Sequence, residues 1–176
     1  MAASTYIIYN SAQATTAAPV VQPTGTAIRT MMQLRTATGV NARLVRWGFS
    51  FDGSAAATPG KVELFETTVA ATMSTAYAAG DIQPYGNYVA PANTAGSGGV
   101  PFNLSTGTSG FATAAVTEGT VAGYRAADLV LNPPTQPYVY DWPLGREFDL
   151  TPQMYLRCRV TFGTTVNMYV YVVVEV

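Results

Sequence analysis

The last twenty-three residues of the chain place the strongest constraint on its fold. From Met154 to Phe162 every second residue is apolar, and after residues 163–165 the same alternation runs from Val166 to Val176. Alternate side chains of a strand point to opposite faces, so both segments are predicted to be strands with one core face. The three residues between them form either a hairpin loop or a corner where the chain crosses between two packed sheets.

The positions between these apolar residues define a second face. They are Tyr155, Arg157 and Arg159 in the first segment, and Tyr169, Tyr171, Val173 and Glu175 in the second. Tyr and Arg are enriched at protein–protein contacts, so this face is a candidate interface. The alternative is an ordinary solvated face, because aromatic and β-branched residues favour strands in any case.

Similar alternation predicts strands in several other places. They are residues 5–9, 26–36, 40–51, 61–69, 128–131 and 138–142. In the strand at residues 26–36, one face carries Ile28, Thr30, Met32 and Leu34. In the strand at residues 40–51, one face carries Val45, Trp47, Phe49 and Phe51, and the other carries Ala42, Leu44 and Arg46. Two partly apolar faces suggest a central strand that is covered on both sides. With about eight strands and long Pro/Gly-rich crossovers, the chain is predicted to be all-β, a single β-sandwich of jelly-roll or related Greek-key topology.

The predicted domain organisation has three parts. Residues 1–25 form an N-terminal arm that lies on the body or on a neighbouring subunit, and residues 26–176 form the sandwich. Within the sandwich, residues 70–120 form a long loop insertion with little periodicity, and such loops are commonly functional or disordered.

Composition limits the possible partners. Charged residues make up 11% of the chain and the net charge is −1, against about 25% charged residues in typical soluble proteins. A weakly charged surface suits a protein that packs against neighbours. Without a basic tract, direct nucleic-acid binding is not expected, and no stretch is long enough for a membrane span. The start lacks a signal-peptide pattern, so assembly in the cytoplasm is expected.

Catalytic chemistry has little support in the sequence. The chain has no His, which removes the usual general base and the commonest metal ligand, and no cofactor is predicted. Asp141, Glu147 and Asp149 offer paired carboxylates for a glycosidase, or a calcium site through Asp141 or Asp149. Turn and ion-pair roles are favoured for them, and the protein is predicted not to be an enzyme. The single cysteine, Cys158, lies on the inward face and is predicted to be a small buried apolar group.

Four segments resemble small virion proteins of tailed bacteriophages. They are Val45–Gly53 (VRWGFSFDG), Val62–Thr67 (VELFET), Trp142–Glu147 (WPLGRE) and Tyr155–Val160 (YLRCRV). The resemblance implies a β-sandwich that decorates or cements the capsid, often as a homotrimer, located in the virion. Its expected partners are other copies of itself and the major capsid protein, and no catalytic residue is implied.

The resulting hypothesis is a non-enzymatic viral structural protein that works by buried area. The candidate interface residues are Tyr6, Ile7, Ile8, Tyr9, Tyr85, Tyr88, Phe102, Phe111, Tyr155, Arg157, Arg159, Tyr169 and Tyr171. Removing residues 1–18 is expected to weaken particle binding while the fold survives. The alternative function is a carbohydrate-binding or receptor-binding module of a phage particle, in which Trp47, Trp142 and tyrosines stack on sugars. Against this, both tryptophans suit core positions.

Overall fold

Two antiparallel sheets pack together as a β-sandwich in this computed structural model, which describes residues 4–13, 15–52, 58–86 and 96–176. The strands are β1 (Thr5–Tyr9), β2 (Gln22–Pro23), β3 (Arg29–Arg35), β4 (Ala42–Asp52), β5 (Gly60–Thr67), β6 (Thr75–Ala76), β7 (Gln83–Pro84), β8 (Gly110–Phe111), β9 (Arg125–Asn132), β10 (Tyr138–Asp141), β11 (Phe148–Leu150), β12 (Tyr155–Thr161) and β13 (Asn167–Glu175). Two single 3₁₀ turns, Ala79–Asp81 and Ser97–Gly99, complete the described secondary structure.

The strand order is that of a jelly roll. Sheet A runs β10-β4-β13-β1-β7, with β11 also on β4 and β2 also on β13, and sheet B runs β6-β8-β3-β12-β5-β9. Eight of these strands form two four-stranded sheets, β10-β4-β13-β1 and β3-β12-β5-β9, and this order is that of the two Greek keys of a jelly roll. The predicted fold class is therefore confirmed.

The C-terminal pair forms a corner and not a hairpin. β12 lies in sheet B between β3 and β5, and β13 lies in sheet A between β4 and β1. Both apolar sets still face the core, because Leu156, Cys158 and Val160 on β12 and Met168 and Val170 on β13 are all buried. Each large apolar side chain contributes roughly 1.5–3 kcal/mol of burial free energy. The second faces of the two strands consequently lie on opposite sides of the sandwich and do not form one surface.

Two β-bulges change the predicted face assignments. In β4 the register with β13 shifts between Leu44 and Arg46, so Leu44 and Trp47 both enter the core. Val45 does not share the inward face with Trp47 as the alternation predicted. The strand has a single core face, and the bulge at Val45 moves its apolar positions from even to odd residue numbers. In β3 a similar shift places Met31 in the core beside Met32, and Thr30 bonds to side chains on the outer face of sheet B.

Residues 5–9 are part of the sandwich and do not form an arm. β1 pairs with β13 over five residues and with β7 on its other side. Tyr6 and Ile8 are buried in the core, while residues 15–20 are exposed. The alternation within residues 5–9 is as regular as elsewhere, and the strand is placed by pairing with a segment more than 160 positions away, which local composition does not reveal.

The described part of residues 70–120 is packed against the sandwich. β8 and β6 extend sheet B beyond β3, and β7 extends sheet A beyond β1, so this connection covers one lateral side. Phe102 and Phe111 are buried in the core, and the Tyr77 hydroxyl donates to the Tyr9 carbonyl at 2.7 Å. Residues 70–120 thus pack on the sandwich through single buried aromatic side chains and not through a long strand with regular alternation.

Asp128 joins the two sheets on the opposite lateral side. Its Oδ2 accepts hydrogen bonds from Trp47 Nε1 at 3.0 Å and from the Tyr138 hydroxyl at 2.7 Å. Burial, together with this carboxylate, raises the pKa of the Tyr138 phenol well above its ordinary value. Trp47 is therefore a core residue, and its indole N–H forms a hydrogen bond from sheet A to Asp128 of sheet B.

Candidate interaction surface

The outer face of sheet A brings together aromatic side chains that are far apart in sequence. Tyr171 of β13 lies opposite Tyr9 of β1 on one side and opposite Gly48 of β4 on the other, and Val139 of β10 lies opposite Gly48. Val139, Gly48, Tyr171 and Tyr9 therefore form one row across four strands, which we call the tyrosine row. In a sheet, residues in register on neighbouring strands point to the same face and contact each other.

Gly48 allows the tyrosine row to be flat. A Cβ at this position would lie 2.7 Å from the Tyr138 carbonyl oxygen and 2.8 Å from the Tyr171 ring. The Tyr171 ring thus occupies the space above the glycine, and its centroid is 5.7 Å from that of Tyr9. A glycine inside a strand commonly marks such a close approach. Both rings are half-buried, and burial raises the pKa of the Tyr171 phenol, which stays a neutral hydrogen-bonding group.

The arginines of this face are paired with carboxylates. Arg46 bonds to Asp141 and also donates from Nη1 to the Tyr85 hydroxyl at 3.2 Å. The bond to Asp141 raises the pKa of Arg46. Arg43 lies 3.3 Å from Glu175. These pairs are exposed and contribute little to stability, but they leave the face with compensated charge, which lowers the cost of covering it with another protein.

The structure divides the thirteen predicted interface residues into four groups. Five lie on or reach the outer face of sheet A: Ile7, Tyr9, Tyr85, Tyr169 and Tyr171. Five are buried inside the chain: Tyr6, Ile8, Phe102, Phe111 and Arg157. The outer face of sheet B carries Tyr155 and Arg159, and Tyr88 lies outside the described residues. The five buried side chains cannot contact a partner in this conformation. Tyr6 and Ile8 are buried because alternate residues of β1 point inward.

The sheet B residues make internal contacts. Tyr155 packs under the Arg35 guanidinium at 5.2 Å, and Arg159 bonds to Glu63 at 3.0 Å while lying over the Phe65 ring. This side of the sandwich is a polar layer covered by the chain's own connections, whereas the outer face of sheet A carries the tyrosine row.

Gly48, Val139 and Arg46 belong to this surface but are not among the residues predicted from the sequence. Gly48 was the available signal, because a glycine in a strongly apolar strand indicates that something packs closely over the backbone. Val139 and Arg46 had no local signal. Val139 joins the row only because β10 pairs with β4, and Arg46 lies on this face beside β13 only because of the β4–β13 pairing.

The carboxylates considered for catalysis have structural partners. Asp141 pairs with Arg46, and Glu147 Oε1 accepts the Gly145 N–H at 3.0 Å. This backbone bond lowers the pKa of Glu147. Asp149 lies on β11, opposite Arg43. Within the described ranges, no group of three or more potential metal-ligating side chains converges.

Comparisons with known proteins add no identification. No family model matches the chain, and no curated protein or solved structure is significantly similar to it. Across the residues described, no helix has the length and apolarity to cross a membrane.

Proposed function

We propose that the protein is a non-enzymatic structural subunit that oligomerises and binds a protein shell, as a capsid decoration protein of a phage head, through the outer face of sheet A. The observation that carries this proposal is the tyrosine row. It crosses four strands, with the Tyr171 and Tyr9 rings side by side and Val139 beyond Gly48, and it is bordered by arginines that are paired with carboxylates.

Three features support adhesion as the mode of action. Tyr and Arg are the residue types that dominate binding energy at protein contacts. The overall charge content of 11% keeps the desolvation cost of a covered surface low. The four segments that resemble phage virion proteins supply the particle context, and two of them, residues 45–53 and 142–147, include or adjoin strands of sheet A.

The mechanism is summation over many copies. A single interface of standard size buries about 800 Å² on each partner, and a shell presents the same site many times. Even modest affinity at each site then yields a saturated layer that ties neighbouring shell subunits together.

The test is binding to shells assembled from the major capsid protein of the same virus. Co-sedimentation with quantitative mass spectrometry is expected to show saturable binding at a fixed copy number. Tyr171→Ala should weaken binding by about 30-fold, the loss of roughly 2 kcal/mol that is typical of a hot-spot residue.

Tyr155→Ala is the matched control. It also removes a half-buried strand tyrosine, but on the outer face of sheet B. It should bind like the unmodified protein. Absence of saturable binding, or equal losses in both variants, would refute the proposal.

A second function has one observation in its favour. Tyr140 and Trp142 pack edge to face, with ring centroids 5.0 Å apart, at the exposed edge of sheet A. Such a pair suits stacking against a sugar in a carbohydrate-binding module, although Trp47, also considered for this role, is fully buried. Glycan-array binding that disappears in Trp142→Ala, without fixed-copy shell binding, would favour this alternative.

A further inference from the structure

Most of the strands at the ends of the two sheets are too short to pair with another chain. In sheet A, β2 and β7 each have two residues, the second of which is a proline, and β10 and β11 have four and three. In sheet B, β6 has two residues. Short strands and prolines are common means of preventing association at sheet edges. β9 is the exception, because it has eight residues and no partner beyond it in the described part of the chain.

The free edge of β9 would favour association with a second copy of the chain. Val130 lies opposite the core residue Val62, so its neighbours Leu129 and Leu131 point to the outer face of sheet B, where they are 57% and 72% exposed. The sequence Leu129-Val130-Leu131 is symmetric about Val130. In an antiparallel pair of two β9 strands centred on Val130, each Leu129 would therefore lie opposite Leu131 of the other copy.

Two features shorten the part of β9 that could pair. Leu64 of β5 lies opposite Asp128, whereas Phe65 lies opposite Ala126, so β9 carries an extra residue at position 127. Such a bulge twists an edge strand away from an incoming one. Pro133 and Pro134 follow directly after β9 and have no N–H to donate. Only residues 128–132, which we call the β9 edge, remain available.

The Asp128 carboxylate occupies the β9 edge. Its Oδ1 accepts the N–H of Leu129 at 2.8 Å, and its Oδ2 is held by Trp47 Nε1 and the Tyr138 hydroxyl. The Leu129 N–H is therefore already bonded within the chain. A strand that approached this edge would meet a carboxylate oxygen in place of a free donor, and pairing would bury the charge.

We propose that Asp128 blocks the β9 edge, so that it does not pair with β9 of a second copy. The same side chain then has two roles: it joins the two sheets, and it prevents association through the one long edge strand. Copies of the protein are consequently left with the faces of the sandwich as contact surfaces. The inference concerns sheet B alone and does not depend on shell binding by the tyrosine row.

Hydrogen exchange measured by NMR tests the bond in the unmodified protein. The N–H groups of alternate strand residues point to the same side, so Leu129 and Leu131 both direct theirs to the free edge. The Leu129 amide is expected to exchange at least about tenfold more slowly than that of Leu131, because a hydrogen bond to a charged group is worth this factor or more. Equal rates, or a Leu131 amide as protected as that of Leu129, would contradict the proposal.

Asp128→Asn is expected to open the β9 edge selectively. An amide has one acceptor oxygen, which should stay with the two donors Trp47 and Tyr138, and its NH₂ group then faces the Leu129 N–H. In this background, an equimolar mixture of Leu129→Cys and Leu131→Cys chains is treated with a short bismaleimide. Cross-linked heterodimer should increase at least about tenfold over the same mixture with Asp128 intact. The native Cys158 is fully buried and does not compete.

Tyr138→Phe is the matched control. It removes one hydrogen bond to Asp128 Oδ2 but leaves the bond between Oδ1 and the Leu129 N–H. The cysteine mixture in this background should cross-link no more than with Asp128 and Tyr138 intact. Equal cross-linking in all three backgrounds, or no increase with Asp128→Asn, would refute the proposal. Hydrogen exchange in the unmodified protein decides the matter if Asp128→Asn does not fold.

Discussion

Glu118 is expected to be the most sensitive position on the outer face of sheet B. It belongs to the segment that crosses this face between β8 and β9. Its Oε2 accepts bonds from Arg157 Nη2 and from the Thr30 hydroxyl, the latter at 2.7 Å, and its Oε1 accepts the Thr30 N–H. The β3 bulge lies beside Thr30 and interrupts the backbone hydrogen bonds between β3 and β12. The Glu118 carboxylate therefore supplies the acceptor for the Thr30 N–H at this point. Glu118 therefore fastens the covering segment to the sheet.

The expected effect of Glu118→Ala follows from the burial of its partner. The Arg157 side chain is 0% exposed, so the guanidinium has lost its contact with water, and this burial lowers its pKa. Removing the carboxylate leaves this charge with neutral acceptors, the Thr30 hydroxyl and the Val69 carbonyl. Breaking a buried ion pair from one side costs about 3–5 kcal/mol, a large part of the 5–15 kcal/mol that stabilises a typical domain.

Urea denaturation of a double-mutant cycle provides the measurement. Glu118→Ala should lower the free energy of unfolding by at least about 3 kcal/mol, while Glu118→Ala combined with Arg157→Met should recover most of the loss, because no uncompensated charge remains buried. Limited proteolysis should cleave residues 112–124 earlier in the single variant. A loss below about 1 kcal/mol, or a double variant less stable than Glu118→Ala, would refute the argument.

Two further predictions concern stability and reactivity. Complete burial raises the pKa of the Cys158 thiol far above its ordinary value, so a thiol reagent at pH 8 should label the protein only at the rate of its unfolding; rapid labelling of the native protein would contradict this. Deleting residues 1–18 removes β1, with the buried Tyr6 and Ile8, from sheet A, so the truncated protein should lose cooperative thermal unfolding; a stable truncated sandwich would restore the arm hypothesis.

The sequence by itself determined the class of fold. Period-two alternation is written into the order of residues, because successive side chains of any strand point in opposite directions. That alternation located the eight strands of the jelly roll and placed Leu156, Cys158, Met168 and Val170 in the core. It also placed Trp47, Phe49 and Phe51 correctly on one inward face, but it assigned Val45 to that face and Ala42 and Leu44 to the opposite one, whereas Ala42 and Leu44 lie in the core.

Register and partners were decided only by the tertiary structure. The bulges near Val45 and Met31 change which side chains face inward, and a one-residue shift of this kind leaves no mark in a simple apolar pattern. The tyrosine row likewise needs β1, β4, β10 and β13 side by side, with Tyr9 and Tyr171 separated by more than 160 positions. Local sequence specifies which faces a strand has, but the neighbour that covers each face is set by long-range pairing, whose free energy depends on the whole assembled sheet.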